Sequence, residues 1–415
     1  MTGVSEGKDP PAAQNRLGAA TSPTVHAATR RGFLTLAAGG LTATAVGATV
    51  AADLYAVHRG VFAGGSGPAY APWAEWDRGT LPLRLVRAGI LAANAHNAQA
   101  WRFAVTPQRI DVHDDVGRSL GAVDTYRREI HLSAGCAIEN ISLAARAAGF
   151  LPMVTLRPDG DSGPLARMDL LPGTADVTDL YQAIPRRHTD RGLYQRGRAL
   201  AADIPHGMDA LVDGNDVRLL WLLDGAQRAA FSELTITATQ DFIADTQQAK
   251  DDYAWYRGTG EQVQQHRDGV TVDASGLSPV LRALGKMIPS SRSSNGSYWL
   301  AGTRDRQLPT ASGFAVLLVR DASDVVQRLA AGRVYQRLHL WATVRGLAMQ
   351  PLNQVVERAE RERVTSRTGQ VSAGMDRLVA DSVWKPVMPF RIGYPTTAAP
   401  ASPRRAVDDV LIATP

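Results

Sequence analysis

The chain has 415 residues, of which 45% are hydrophobic and 20% are charged, and its formal net charge is +5 at pH 7. This composition excludes a largely disordered chain and suits two domains or one large intertwined domain. Arginine supplies nearly all the positive charge, and no basic block alternates with aromatic residues, so nucleic acid is not an expected partner.

The N-terminal region divides into three parts. Residues 1–28 are rich in Pro, Ala, Ser, Thr and Gly, which predicts disorder. Residues 29–58 contain Arg30-Arg31 before an uncharged run that extends to Ala52. This pattern resembles a twin-arginine (Tat) export signal, so we expect an extracytoplasmic protein, with the run cleaved or kept as a membrane anchor. Residues 59–72 are rich in glycine and predict a flexible linker, which places the start of the folded part near Trp73.

The first motif follows an apolar helical run that ends near Leu91. The segment Asn94-Ala95-His96-Asn97-Ala98-Gln99 predicts a loop, and Trp101 begins a strand-like stretch. A loop of amides offers hydrogen-bond donors and acceptors without net charge, which suits a flat neutral heterocycle. The alternative is a polar turn whose Asn and Gln side chains bond to their own backbone.

The next segment predicts a unit of strands and one helix. Phe103–Val105 and Arg109–His113 alternate like the strands of a hairpin, and 130–132 predicts another strand. Residues 134–149 repeat apolar side chains at helical spacing and stop at Gly149, and 153–157 predicts the following strand.

A second copy of this unit occurs later in the chain. Gly332 and Gly346 repeat the interval between Gly135 and Gly149, and the apolar run 316–319 predicts a strand before the second helix. Internal repetition indicates two related halves. We therefore expect an α+β fold built from two fused halves, residues 73–185 and 186–415, with an insertion at about 236–300.

The insertion at about 236–300 contains fewer sequence patterns that predict structure or binding. Residues 240–256 predict an amphipathic helix, and 290–296 predict a Ser/Asn-rich loop. Trp255 and Tyr256 are candidates for contact with a bound ring, although aromatic residues of this kind more often pack into a core.

Three further segments contain candidate binding residues. Arg187, His188, Thr189 and Arg191 can surround a phosphate, because guanidinium groups and hydroxyls are matched donors for its oxygens. The alternative is a solvated basic turn. Gln350, Pro351, Leu352 and Asn353 follow the second long helix, where they form either a binding segment or a simple helix stop. Arg404 and Arg405 lie near the C-terminus and either complete the phosphate site or belong to a free tail.

Cys136 is the only cysteine, so no internal disulfide forms, and we expect it to be buried as a small apolar residue. No two of the nine histidines have the i, i+4 spacing of a helical metal motif with a carboxylate partner, so the sequence predicts no zinc or iron site.

The first motif resembles the FMN-binding loop of the nitroreductase-like flavoproteins, a Pro-Ser-x-His-Asn-x-Gln-Pro-Trp type pattern. The matching positions here are His96, Asn97, Gln99 and Trp101, whereas Ala93, Asn94 and Ala100 replace the usual Pro, Ser and Pro. Arg187, Thr189 and Arg191 resemble the Arg-x-Ser/Thr-x-Arg signature of that family. Within it, the chain is most similar to the single-chain Acg-type branch.

The resemblance implies an FMN held between the two halves of one monomer that acts as an internal dimer. The amide loop and residues 350–353 would contact the ring, and Arg187, His188, Thr189, Arg191, Arg404 and Arg405 would hold the ribityl phosphate. The implied activity is transfer of hydride from NAD(P)H to a small acceptor such as a nitroaromatic or a quinone, with no catalytic side chain. The alternative is a flavin-binding or flavin-sequestering protein with little turnover, in which residues 236–300 form a closed lid.

Overall fold

The computed structural model describes residues 54–57, 59–288, 290–366 and 369–412. The predicted disordered segment 1–28 and nearly all of the twin-arginine segment 29–58 lie outside these residues. Within the described ranges, no helix is both long enough and apolar enough to cross a membrane.

The helices of the described chain are α1 (Ala71–Ala74), α2 (Leu83–Gly89), α3 (Arg128–Ala147), α4 (Asp179–Ala183), α5 (Asp203–Asp209), α6 (Gly225–Ala244), α7 (Thr246–Tyr253), α8 (Gly260–His266), α9 (Pro279–Met287), α10 (Arg292–Gly302), α11 (Leu308–Thr310), α12 (Val325–Val344), α13 (Gln354–Val364) and α14 (Gln370–Val379). The strands are β1 (Trp101–Thr106), β2 (Arg109–Asp114), β3 (Phe150–Leu156), β4 (Ala166–Pro172), β5 (Val217–Leu222), β6 (Tyr256–Arg257), β7 (Val270–Thr271), β8 (Gly313–Val319), β9 (Ala348–Pro351), β10 (Lys385–Gly393) and β11 (Leu411–Ile412). This mixture confirms the predicted α+β class.

Two antiparallel sheets with the same connectivity form the framework. The first half supplies β1-β2-α3-β3-β4, whose strands lie in the order β1-β2-β4-β3. The second half supplies β5-β8-α12-β9-β10, whose strands lie in the corresponding order β5-β8-β10-β9. The predicted hairpin is confirmed as β1 and β2, and the predicted strand 316–319 is confirmed within β8, all of whose residues are buried.

The two long helices also have the same length. Each has 20 residues, and Gly135 and Gly332 occupy the same position in the two helices. The chain then turns at the predicted stops, Gly149 at φ +85° and Gly346 at φ +69°. These left-handed conformations are those that glycine adopts at little cost, which explains why both helices end there.

The helices α3 and α12 cross at their paired glycines. A Cβ atom on Gly135 would lie 2.2 Å from the carbonyl oxygen of Leu329, and one on Gly332 would lie 2.1 Å from that of Leu132. Cys136 is buried at this crossing, with its Sγ 3.2 Å from the carbonyl oxygen of Gly332. The absence of two side chains therefore lets the backbones of α3 and α12 touch within one core.

The structure corrects the predicted beginnings of these helices. Residues 130–132, predicted as a strand, form the first turns of α3, which begins at Arg128 and not near residue 134, and both helices begin seven residues before their paired glycines. Asp124 supplies the reason for α3, because its carboxylate accepts hydrogen bonds from the backbone N–H groups of Glu129 and Ile130, at 3.0 and 3.1 Å. A side chain outside the helix thus extends it beyond the apolar pattern.

The insertion differs from the prediction in two places. The helix predicted for 240–256 is divided into α6 and α7 by Asp245, whose carboxylate caps the backbone N–H groups of Gln247 and Gln248. The loop predicted for 290–296 is largely helical, because the Ser291 hydroxyl caps α10. Short polar side chains at helix starts decide both outcomes.

The segments at the two ends of the described chain are fixed by distant contacts. Residues 59–72, predicted as a flexible linker, pack on the insertion. The backbone N–H of Ala69 donates to Gln264 Oε1, and Lys286 Nζ donates to the carbonyl oxygen of Gly60. At the other end, β11 pairs in parallel with β1, so the C-terminal segment returns to the sheet of the first half.

Candidate functional site

A cavity of about 500 Å³ lies between the first turns of α3 and α13 and the insertion. A volume of this size is typical of small-molecule and cofactor sites. A narrower recess adjoins the cavity, and both are lined by Ala93, Asn94, Thr189, Arg191 and Val270.

The amide loop forms one wall in a strained conformation. His96, Asn97 and Gln99 have φ values of +49°, +53° and +53°, which non-glycine residues rarely adopt. Asn94 Oδ1 stabilises the loop by accepting the backbone N–H of Gln99 at 2.9 Å. His96 lines the cavity, whereas Asn97 lines the recess and donates through Nδ2 to the carbonyl oxygen of Pro403 at 2.9 Å. Strain of this kind persists where a site demands a particular geometry.

Arg187 and Arg404 line the recess from opposite ends of the chain. Both are almost fully buried, and neither has a carboxylate within 4 Å in the part of the chain that the structure describes. Arg187 Nη2 donates to the carbonyl oxygen of Leu91 at 3.0 Å, and Arg404 Nη1 donates to Pro403 O at 2.9 Å and to Asn97 Oδ1. The Nε atoms of both arginines are buried without a hydrogen-bond partner.

The charge of this cluster is therefore unbalanced. Burial lowers the pKa of Arg187 to about 10. Burial and then repulsion by Arg187 lower the pKa of Arg404 well below its usual value. Buried cations without counter-charges are costly, so the recess is suited to an anion with several acceptor oxygens.

Three neighbouring residues complete the recess. Burial and the two arginines lower the pKa of His188 to about 3, so its imidazole is neutral, and its Nδ1 has no partner. The His188 ring packs edge-on against Trp73, with the ring centroids 4.5 Å apart, and the Arg404 guanidinium lies 4.8 Å from the Trp73 centroid. Thr189 and Arg191 line both the recess and the cavity and so connect the two.

The β9–α13 segment forms another wall. Gln350, Pro351 and Asn353 line the cavity, and Asn353 Oδ1 has no hydrogen-bond partner. Gln350 is held by Arg391, whose Nε donates to Gln350 Oε1 at 2.6 Å. Leu352 instead packs into the apolar core of the second half.

Three of the motif residues support the walls from behind. Gln99 Nε2 donates to the carbonyl oxygen of Arg267, and Gln99 Oε1 accepts the backbone N–H of Arg405. The Arg405 guanidinium pairs with Asp115 at 3.3 Å and donates to the Gln99 carbonyl oxygen, so it does not join Arg404 in the recess. Trp101 is fully buried in the main core. Their side chains hold the loop and the C-terminal segment in place.

In the insertion, only one of the two aromatic candidates reaches the cavity. Tyr256 lines it, whereas Trp255 packs beneath the guanidinium groups of Arg118 and Arg257 at 5.2 and 5.9 Å from its ring.

The sequence analysis missed the acidic side of the cavity. Glu129, Asp252 and Glu357 line it together with His96, and they come from α3, α7 and α13. His96 Nε2 lies 2.8 Å from Asp252 Oδ1. Burial and then the neighbouring Glu129 raise the pKa of Glu357 well above its usual value. No local spacing could reveal this cluster, because its members are separated by more than 30 residues along the chain.

Comparison with known proteins identifies nitroreductase relatives. No protein-family model matches the chain. It is 27% identical over 360 residues to "Putative NAD(P)H nitroreductase Rv3131" of Mycobacterium tuberculosis strain ATCC 25618 / H37Rv, covering 84% of this chain and 95% of the relative. The identity, the aligned length and the covered shares are the same for "Putative NAD(P)H nitroreductase MT3217" of strain CDC 1551 / Oshkosh. The chain is therefore similar over most of its length to proteins named as nitroreductases.

Among solved structures, the FMN-dependent nitroreductase NfnB from Mycobacterium smegmatis in complex with NADPH aligns with 57% of this chain and 100% of its own, at 16% identity and a TM-score of 0.36.

Proposed function

We propose that this chain binds FMN and acts as an NAD(P)H-dependent oxidoreductase on a small acceptor such as a nitroaromatic or a quinone. The observation that carries the proposal is the pair of buried, unbalanced guanidinium groups, Arg187 and Arg404, in a recess that adjoins a ligand-sized cavity. The names of the mycobacterial relatives point to the same activity.

The residues fit the cofactor at both ends. Arg187, Arg404 and Thr189 would hold the phosphate, because their donors face a recess with no competing carboxylate. His96, Gln350, Pro351 and Asn353 would face the ring, since they line the cavity. When bound, FMN would supply hydride and electron transfer, and the protein would supply orientation, hydrogen bonds and exclusion of water.

We also propose that the chain is an internal pseudo-dimer, with residues 73–185 and 186–415 as its halves. The supporting observations are the matched strand orders of the two sheets and the paired glycines of α3 and α12. Walls of the cavity come from both halves and from the insertion, which agrees with a site between them.

The experiment has two measurements. An absorption spectrum of the purified protein with flavin extraction tests FMN binding, and steady-state NAD(P)H oxidation with a nitroaromatic or quinone acceptor tests turnover. We expect a yellow protein that oxidises NAD(P)H. A colourless protein that stays colourless with excess FMN would refute the proposal, whereas a yellow protein without turnover would identify a flavin-sequestering protein.

Two substitutions test whether the recess arginines contact the phosphate of FMN. Arg187→Ala and Arg404→Ala should each raise the Kd for FMN roughly 10- to 150-fold, because a charge-assisted hydrogen bond contributes about 1.5–3 kcal/mol. Arg345→Ala is the matched control, since this exposed arginine pairs with Asp203 away from the recess. Unchanged Kd values in both recess variants would contradict the assignment. Fluorescence titration of flavin-free protein measures all three.

A further inference from the structure

We propose that the acidic side of the cavity is a binding site for a divalent transition-metal ion, with His96, Glu129 and Glu357 as its protein ligands. Each residue offers one ligand atom, and these atoms all lie within 4.8 Å of one another. The site shares the cavity and His96 with the proposed flavin-ring site, but it uses neither Arg187 nor Arg404 of the recess.

The geometry is close to that of a bound ion. Ligands about 2.1 Å from a tetrahedral zinc ion are separated from one another by roughly 3.4 Å, and opposite ligands of an octahedral ion by about 4.2 Å. Atoms within 4.8 Å of one another therefore need to approach by about 1.4 Å at most to reach the tetrahedral spacing. Side-chain rotation can supply that movement without a change in the fold.

His96 is arranged as metal-bound histidines are. Its Nε2 is hydrogen-bonded to Asp252 Oδ1 at 2.8 Å, while its buried Nδ1 has no partner. A histidine that gives one ring N–H to a carboxylate and presents the other nitrogen to a metal is the usual arrangement at such sites. Asp252 therefore acts as a positioning residue that fixes the ring.

Glu357 provides the second, independent indication. It is 5% exposed and lines the cavity, its carboxyl group lies against that of Glu129, and it forms no ion pair within the described chain. The nearby Arg128 is already engaged, with Nη2 3.1 Å from Glu129 Oε1 and Nε 3.0 Å from Glu360 Oε1. A buried carboxylate without a cation of its own is suited to an added positive charge.

The donor atoms define the class of ion. One imidazole nitrogen and carboxylate oxygens favour Zn²⁺, Fe²⁺ or Mn²⁺, and no thiolate is present to favour a softer metal. Cys136 also lines the cavity, but its Sγ faces the Gly332 carbonyl oxygen and burial raises the pKa of its thiol to about 12. An organic ammonium group would satisfy the carboxylates but would leave His96 Nδ1 without a partner.

The experiment measures metal rather than activity. Full-length protein, stripped with a chelator and prepared with and without FMN, is titrated with Zn²⁺ and with Mn²⁺ by calorimetry, and bound metal is counted by mass spectrometry. We expect one ion per chain. Glu357→Gln and His96→Ala should each lower the affinity more than 100-fold, and Asp252→Asn should lower it about 10- to 100-fold because it removes a residue that only orients a ligand.

Glu139→Gln is the matched control. Glu139 is an equally buried carboxylate on α3, but it pairs with Arg333 and Arg337 instead of facing the cavity. The Glu139→Gln variant should bind the metal ion with wild-type affinity. Absence of stoichiometric binding to the wild type, or wild-type affinity in Glu357→Gln and His96→Ala, would overturn the site. If a variant fails to fold, the visible absorption spectrum of wild-type protein loaded with Co²⁺ tests the site. A Co²⁺ ion bound by nitrogen and oxygen ligands must give visible bands, and their absence would contradict the proposal.

Discussion

Two groups of ionisable side chains in adjoining spaces lack partners of opposite charge. Arg187 and Arg404 lack carboxylates in the recess, and Glu357 lacks a cation in the cavity. Most other buried charges in the described chain are paired, as Arg128 is with Glu129 and Glu360. Because burying an unpaired charge is costly, these two groups, which line the recess and the cavity, are suited to ligands that contribute the missing charge.

The lowered pKa of His188 predicts that the stability of the protein depends on pH. Its folded pKa of about 3 lies below the ordinary histidine value of 6.5, so the unfolded chain binds more protons than the folded chain between these values. Stability is therefore fully present above about pH 6.5 and falls as the pH decreases. The expected loss between pH 7 and pH 5 is on the order of 1 to 2 kcal/mol.

The variant His188→Phe removes the titrating group but keeps an aromatic ring against Trp73. Denaturant unfolding of flavin-free protein at pH 7 and pH 5 should show a smaller acid-induced loss in this variant than in the wild type. An equal loss in both proteins would assign the acid sensitivity to other groups.

Among the candidate residues, those near a recognisable motif could be predicted and those supplied by tertiary contacts could not. Arg187, Thr189 and Arg404 line the recess, and their assignment to a phosphate stays a prediction. Arg405 does not, because Asp115 and the Gln99 carbonyl oxygen hold its guanidinium elsewhere. Glu357 was invisible because it belongs to the charged helix α13, where an acidic residue ordinarily faces water.

At the scale of elements, apolar periodicity and glycine stops predicted the long helices, whereas their beginnings depended on polar side chains outside the pattern. Gly149 and Gly346 end α3 and α12 as predicted. The beginning of α3 and the break between α6 and α7 are set by Asp124 and Asp245, whose carboxylates accept backbone hydrogen bonds. One cap can override a weak preference of several residues.

The crossing of α3 and α12 gives an element-level prediction. Alanine normally stabilises a helix interior relative to glycine, but Gly332→Ala places a Cβ atom about 2.1 Å from the Leu132 carbonyl oxygen. We expect this variant to lose about 2–4 kcal/mol of unfolding free energy, because neither backbone can move without separating the helices.

Gly225→Ala, at the start of α6, is the matched control, since a Cβ atom added there would meet no other atom within 4 Å. Chemical denaturation of both variants should show a large loss only for Gly332→Ala. Wild-type stability of Gly332→Ala would contradict a tight crossing.

For the whole molecule, matched sheets in one chain predict that no second copy is required. We expect a particle of 44.4 kDa that contains one FMN. Size-exclusion chromatography with light scattering, combined with flavin extraction, measures mass and stoichiometry together. An obligate dimer with its flavin shared between copies would contradict the internal pseudo-dimer.

The twin-arginine segment predicts that the protein is exported by the Tat pathway. Replacing Arg30 and Arg31 together by lysine should leave the protein in the cytoplasmic fraction of an actinobacterial host, because the export signal depends on the arginine pair. Immunoblotting of cell fractions compares this variant with the wild type. Equal distribution of the two proteins would show that another signal directs export.

The return of the C-terminal segment to the first sheet has a consequence for biogenesis. Arg404 completes the recess, and β11 pairs with β1, although β1 is synthesised some 300 residues earlier. The ribosome must therefore have added residue 412 before the first sheet gains its last strand. Products of premature termination or of C-terminal proteolysis lack that strand, and those that end before residue 404 also lack a guanidinium of the recess.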